Sequence, residues 1–122
     1  MAPDMDGAMR TRERVGFDPA RLGRLYDELG REGAERAVAG ALEVLRARLA
    51  RIGDIPPEED EALARAARGM VGVAEEAGLS TLARVAGDLS GAARRRDRRA
   101  AAAIRARLER VGELCLRAYG AG

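Results

Sequence analysis

The chain has 122 residues, of which 47% are hydrophobic and only 2% aromatic, and its formal net charge is +2. This composition predicts a single domain with an aliphatic core. The chain contains no histidine, which excludes histidine-dependent catalytic triads and HExxH zinc sites. All its basic residues are arginine, so a phosphate-binding loop of the GxxxxGK[ST] type is excluded as well.

The first sixteen residues are polar and aperiodic, and we expect residues 1–16 to form a flexible tail. They lack the apolar segment of a secretory signal, and no apolar run approaches the roughly 20 residues that cross a membrane. Cys115 is the single cysteine, which excludes an intramolecular disulfide, and its place on an apolar helical stripe predicts a core residue. These features predict a cytoplasmic protein that does not interact with membranes.

A short first helix is predicted to begin at Asp18. Asp18 is a favourable N-cap, Pro19 suits the first helical position, and Gly30 ends the helix. The apolar face of this helix contains Leu22, Leu25, Tyr26 and Leu29.

Four longer helices are predicted at about 32–52, 57–77, 80–95 and 98–118, from heptad-like apolar repeats. Pro57 is expected to open the second of them, Gly78 to end it, and Asp97 to cap the last. The repeats contain Val38, Leu42, Leu45, Leu49 and Ile52, then Leu63, Ala67, Met70, Ala74 and Ala77, then Leu82, Ala86, Leu89 and Ala93, and finally Ala101, Ile104, Leu108, Val111 and Cys115. Because the connections are short, we expect residues 17–119 to form an all-α, antiparallel up-down-up-down four-helix bundle with a short N-terminal helix, followed by a tail at 120–122.

Residues 58–61 (EEDE) form the densest acidic group and follow Pro56 and Pro57. In the first turn of a helix, acidic side chains interact favourably with the helix dipole. We interpret this group as an N-terminal capping run rather than as a metal or acid–base site. No catalytic residue, metal ion or cofactor is predicted.

The predicted helix at 57–77 has an unusual outward face. If Ala67 points into the core, a rotation of 100° per residue turns Arg65, Arg68, Gly69, Gly72 and Glu76 outward. Two glycines beside Arg68 would leave bare helix surface, which another molecule could approach closely.

The segment 67–82 (ARGMVGVAEEAGLSTL) resembles the central motif of the histidine-phosphotransfer (HPt) domains of bacterial phosphorelays. The family pattern is approximately H-x-L-K-G-x-A-x-x-L-G-x-x-x-L. In this chain Arg68 takes the histidine position, Val71 the lysine position and Gly72 the first glycine position, and the remaining matches are Met70, Ala74, Gly78 and Leu82. The resemblance extends over about residues 17–118, and Arg96 stands where a glycine is common.

The resemblance implies a bundle whose motif-bearing helix binds a receiver domain or a histidine kinase. In the family, the histidine accepts a phosphoryl group, but a guanidinium has no available lone pair, so transfer through Arg68 is excluded. The implied function is therefore that of a pseudo-HPt module, not an enzyme, which tunes or sequesters its partner and has no small-molecule substrate. The implied partner-binding residues are Arg65, Arg68, Gly69, Val71, Gly72 and Glu76.

Two alternatives stay open. The five arginines of residues 94–99 (RRRDRR) could bind nucleic acid or another anionic surface. The low net charge and the scarcity of aromatic residues for base stacking oppose nucleic acid binding. The chain could also be a structural or oligomeric bundle, because heptad repeats are common in unrelated bundles.

Overall fold

The computed structural model describes residues 19–119, and this range contains four helices and no strand. The helices are α1 (Pro19–Asp54), α2 (Asp60–Ala77), α3 (Ser80–Arg94) and α4 (Arg98–Tyr119). The predicted all-α fold is confirmed. The predictions for residues 1–16, for the Asp18 cap and for residues 120–122 lie outside the described residues.

Helix α1 changes direction at Gly30, where the backbone has φ 74° and ψ 176°. Glycine adopts this conformation readily because it has no Cβ. Helical residues lie directly on both sides, so the break expected here is confined to one residue. Before the break, Tyr26 and Leu29 are 40% and 50% exposed, which means that only part of the apolar face is covered.

The core is built from the apolar repeats. In α2 and α3 every residue of the predicted repeats is buried. In α1 and α4 the repeats are buried except for three half-buried residues, which are Val38, Leu49 and Ile104. Cys115 is 1% exposed, and this burial raises the pKa of its thiol to about 11. Its predicted role as a core residue is confirmed.

The connection between α2 and α3 is a tight glycine turn. Gly78 has a left-handed conformation, with φ 78° and ψ 23°. Its N–H donates to the carbonyl of Glu75 (3.0 Å), and the N–H of Leu79 donates to the carbonyl of Ala74 (2.8 Å). This pair of bonds is a Schellman motif, which ends α2 at the glycine predicted to stop it.

The connection between α3 and α4 repeats this geometry without a glycine. Arg96 has φ 60°, and its N–H donates to Ala93 while that of Asp97 donates to Ala92, both at 3.0 Å. The Oδ1 atom of Asp97 accepts a bond from the N–H of Ala100 (3.1 Å), so the predicted cap of α4 is confirmed.

The start of α2 differs from the prediction. The helix begins at Asp60, not at Pro57. The N–H of Glu59 donates to the carbonyl of Pro56 (3.0 Å), so both prolines belong to a turn that precedes the helix. Glu59 is the N-cap but makes no side-chain capping bond, and the acidic residues of the first turn are Asp60 and Glu61.

The four helices form a closed set of contacts. Each helix packs on the next one in the chain, and α1 also packs on α4. At the α1–α4 contact, one Nη1 atom of Arg105 donates to the carbonyls of Ile52 (2.7 Å) and Ile55 (2.8 Å). Ile52 lies in the last turn of α1, where its carbonyl also accepts from the N–H of Ile55 (3.3 Å), and Ile55 lies just beyond the helix. Gly112 lies against Leu49, and a Cβ on Gly112 would be 2.5 Å from Cδ1 of Leu49.

Candidate functional site

The six residues predicted to bind a partner lie on the outer surface of α2. Arg65, Arg68, Gly72 and Glu76 are exposed, whereas Gly69 and Val71 are half-buried. They do not form one patch, because α2 separates two grooves and these residues contribute to both sides.

The α2–α3 groove has a volume of about 430 Å³. It is lined by Arg68, Val71, Gly72 and Glu75 of α2 and by Gly87, Ser90, Gly91 and Arg94 of α3. A Cβ on Gly72 would meet no atom within 4 Å, so the helix surface beside Arg68 is open. Sequence patterns did not indicate that Arg94, one of the five arginines of residues 94–99, lies in the same groove as Arg68. Only the packing of α3 on α2 brings them together.

A buried hydrogen bond of Ser90 connects α3 to α2. Ser90 is 5% exposed, and its Oγ atom donates to the carbonyl of Ala64 (3.1 Å). The hydroxyl proton is thereby held by a backbone acceptor. The charged groups that line this groove are the guanidiniums of Arg68 and Arg94 and the carboxylate of Glu75. This set is suited to binding an anionic surface rather than to nucleophilic chemistry.

The α1–α2 groove lies on the other side of α2 and has a volume of about 830 Å³. It is lined by Val44, Ala47, Arg48, Arg51, Ile55, Glu59, Ala62, Arg65 and Ala66. Arg65 therefore belongs to a different groove from Arg68. The reason is geometric: a step of three residues turns by 300°, which leaves the two side chains 60° apart around α2, with a neighbouring helix on each side.

Gly69 faces α1. A Cβ at this position would be 2.7 Å from Nη1 of Arg48, so the guanidinium of Arg48 lies over the glycine. Gly69 thus makes room for a side chain of this chain, whereas Gly72 leaves open surface.

Glu76 lies near the C-terminal end of α2. Its carbonyl accepts a hydrogen bond from Nε of Arg21 (2.9 Å), which connects α2 to the first part of α1. From Arg65 to Glu76 the helix rises by about 16 Å, so the predicted residues extend along most of α2.

The acidic run of residues 58–61 and the arginine-rich residues 94–99 are distant in sequence but lie side by side in the structure. The guanidinium of Arg98 makes a salt bridge with Asp60 (2.9 Å) and also donates to the carbonyl of Glu58 (3.2 Å). The hydrogen bond from Arg98 lowers the pKa of the Asp60 carboxyl below its ordinary value. The acidic run therefore connects the start of α2 to the start of α4. Among residues 19–119, no three thiol or carboxyl groups lie close enough together to hold a metal ion.

No helix in the described part of the chain combines the length and apolar character needed to cross a membrane. Comparisons of the chain with protein-family models, with curated proteins and with solved structures gave no match.

Proposed function

We propose that this protein is a pseudo-HPt module of phosphorelay signalling. It binds a receiver domain or a histidine kinase in the cytoplasm through the outer surface of α2, and it tunes or sequesters that partner without accepting phosphate. The observation that carries the proposal is that Arg68 is exposed beside open helix surface. A Cβ added to Gly72, one turn from Arg68, would contact no other atom.

The proposal includes an antiparallel up-down-up-down bundle with the residues before Gly30 as a short N-terminal helix. Contacts between pairs of helices support it. Ser90 bonds to Ala64, and Val71 lies near Gly87. Residue numbers therefore increase along α2 while those of the facing residues in α3 decrease, as in antiparallel helices. Gly112 lies against Leu49, and a Cβ on Gly53 would be 3.6 Å from Glu109, which gives the same relation for α1 and α4.

The chemistry of Arg68 supports an acidic partner surface. A guanidinium can pair with carboxylate or phosphoryl oxygens through two parallel hydrogen bonds. The phosphorylation site of a receiver domain is an acidic pocket, as the family resemblance implies. The salt bridges between described residues do not involve Arg68, which leaves its charge available to a partner.

Calorimetric titration against receiver and kinase domains from the same organism tests the proposal. We expect Arg68→Asp to weaken binding by more than tenfold, because it reverses the charge that faces the partner. Gly72→Gln should have a similar effect by covering the open surface. Arg84→Asp is the matched control, since Arg84 is an exposed arginine of α3 outside both grooves. The proposal is wrong if no domain binds, or if both α2 variants bind as tightly as the control.

A further inference from the structure

Three arginines converge on the α1–α2 groove. Arg48 and Arg51 are one turn apart on α1, and Arg65 lines the groove from α2. The guanidinium of Arg48 lies over Gly69, which is one turn beyond Arg65 on α2. The three residues therefore lie within about one helical turn of each other along the groove.

None of these arginines forms a salt bridge within the described part of the chain, although Arg65 also borders the acidic run of residues 58–61. The salt bridges between residues 19–119 are Arg31–Glu35, Arg46–Glu43 and Arg98–Asp60, and none involves the three groove arginines. Glu59 is the single acidic residue that lines the groove, at the end near the start of α2. A concave surface with this excess of positive charge attracts anionic groups and disfavours cationic ones.

The rest of the groove is apolar. Val44, which is 44% exposed, and Ile55 lie near its two ends, and Ala47, Ala62 and Ala66 lie between them. From Val44 to Asp54, where α1 ends, the helix rises by about 15 Å, nearly three helical turns, and Ile55 follows directly. Alanines between the ends allow the backbone of another helix to approach closely, as in the packing of helices into grooves.

We propose that the α1–α2 groove binds an acidic amphipathic helix of a partner protein. Apolar residues of that helix, about three turns apart, contact Val44 and Ile55, and acidic residues between them pair with Arg48, Arg51 and Arg65. The arrangement of apolar ends around a basic centre favours a helix over a small anion, which would use the centre alone. This site lies on the other side of α2 from the Arg68–Gly72 surface. It includes Arg65, one of the predicted partner-binding residues, but neither Arg68 nor Gly72, and it does not depend on the proposed function.

Fluorescence anisotropy with synthetic helical peptides tests the site on the full chain. The probe is a fluorescein-labelled 15-residue peptide with leucines eleven positions apart and three glutamates between them on the same face. One control peptide has lysines in place of the glutamates, and another has serines in place of the leucines. The protein variants are Arg51→Glu and Arg65→Glu, with Arg84→Glu as the matched control, and circular dichroism checks that each variant is folded.

We expect the glutamate peptide to bind with a micromolar Kd and the two groove variants to weaken binding by more than tenfold. Arg84→Glu should change the Kd by less than twofold. The lysine peptide should bind each of the two groove variants better than it binds the natural chain. The proposal is overturned if the glutamate peptide does not bind at 1 mM, or if Arg84→Glu weakens binding as much as the groove variants do.

Two other occupants give distinct results. If the serine peptide and inorganic pyrophosphate bind as tightly as the leucine peptide, the groove is a simple anion site and the helix proposal is wrong. Sedimentation tests for a second copy in the groove. If the natural chain is a dimer, Arg65→Glu dissociates that dimer and the glutamate peptide fails to dissociate it, a second copy occupies the groove and the proposal is wrong as well.

Discussion

Arg96 shows how a single residue can be in a conformation that its side chain disfavours. Its φ of 60° is left-handed, and for a residue other than glycine this costs roughly 1–2 kcal/mol. The same position after α2 is Gly78, which has no such cost. Arg96 tolerates the conformation because the two Schellman hydrogen bonds and the Asp97 cap determine the path of the backbone on both sides.

We expect Arg96→Gly to raise the free energy of unfolding by about 1 kcal/mol, because it removes the left-handed penalty. Urea denaturation at pH 7 measures the change. Arg96→Ala keeps the penalty and removes the charge, and it should leave stability nearly unchanged. Gly78→Ala should lower stability by about 1 kcal/mol. A gain from Arg96→Ala as large as that from Arg96→Gly would show that charge, not conformation, is responsible.

At the scale of the helix, the apolar repeats determined which predictions were correct. All four predicted repeats step by three and four residues, which places their residues on one face of each helix. Packing then buries these faces except at Val38, Leu49 and Ile104, which are half-buried. The start of α2 was predicted wrongly because a proline suits both the first helical position and a turn. The hydrogen bond from the N–H of Glu59 to the carbonyl of Pro56 shows that the prolines lie in a turn.

The glycines within helices have different roles, and substitution distinguishes them. Gly72 lies in open space, so we expect Gly72→Ala to raise the free energy of unfolding by about 1 kcal/mol through helix propensity. A Cβ on Gly112 would be 2.5–3.3 Å from three side-chain atoms of Leu49, and we expect Gly112→Ala to lower the free energy of unfolding by about 1 kcal/mol through overpacking.

Thermal and urea denaturation of the two alanine variants measure both effects. Both variants gain the same helix propensity, which serves as the internal control. The difference between their changes in the free energy of unfolding therefore reports the packing against Leu49 alone. If Gly112→Ala is as stabilising as Gly72→Ala, the close approach of α1 and α4 at this point is not required.

At the scale of the whole molecule, sequence patterns could not predict which residues line the two grooves. A helical wheel identifies which residues face outward, but it does not show which neighbouring helix stands on each side. For this reason Arg65 and Arg68 were predicted as one surface although they line different grooves. The position of Arg48 over Gly69 was equally hidden, because it depends on a long side chain that reaches across from another helix.

The salt bridge between Asp60 and Arg98 connects the start of α2 to the start of α4 and makes stability depend on pH. The pKa of Asp60 is lower in the folded protein than its ordinary value of 3.8. The unfolded chain therefore takes up the proton first as the pH falls. The contribution of Asp60 is present above pH 3.8 and is lost as the pH falls through the lower, folded pKa.

We expect Asp60→Asn to be less stable than the natural chain at pH 7, and the difference to shrink towards zero below the folded pKa. Urea denaturation between pH 7 and pH 2.5 measures the difference, and Asp88→Asn at an exposed position of α3 is the control. A difference that stays constant over this range would show that the carboxylate charge contributes nothing.

The hydrogen bonds of Arg105 have a consequence for the order of folding. They join α4 to carbonyls that are 50 and 53 residues earlier in the chain, whereas α2 and α3 meet across a two-residue turn. The chain entropy lost in closing a loop rises with its length, by about 0.6 kcal/mol for each doubling. We expect the α2–α3 hairpin to form early and the α1–α4 contact to form after the rate-limiting step. Substitution of Arg105 should then accelerate unfolding and leave the refolding rate almost unchanged.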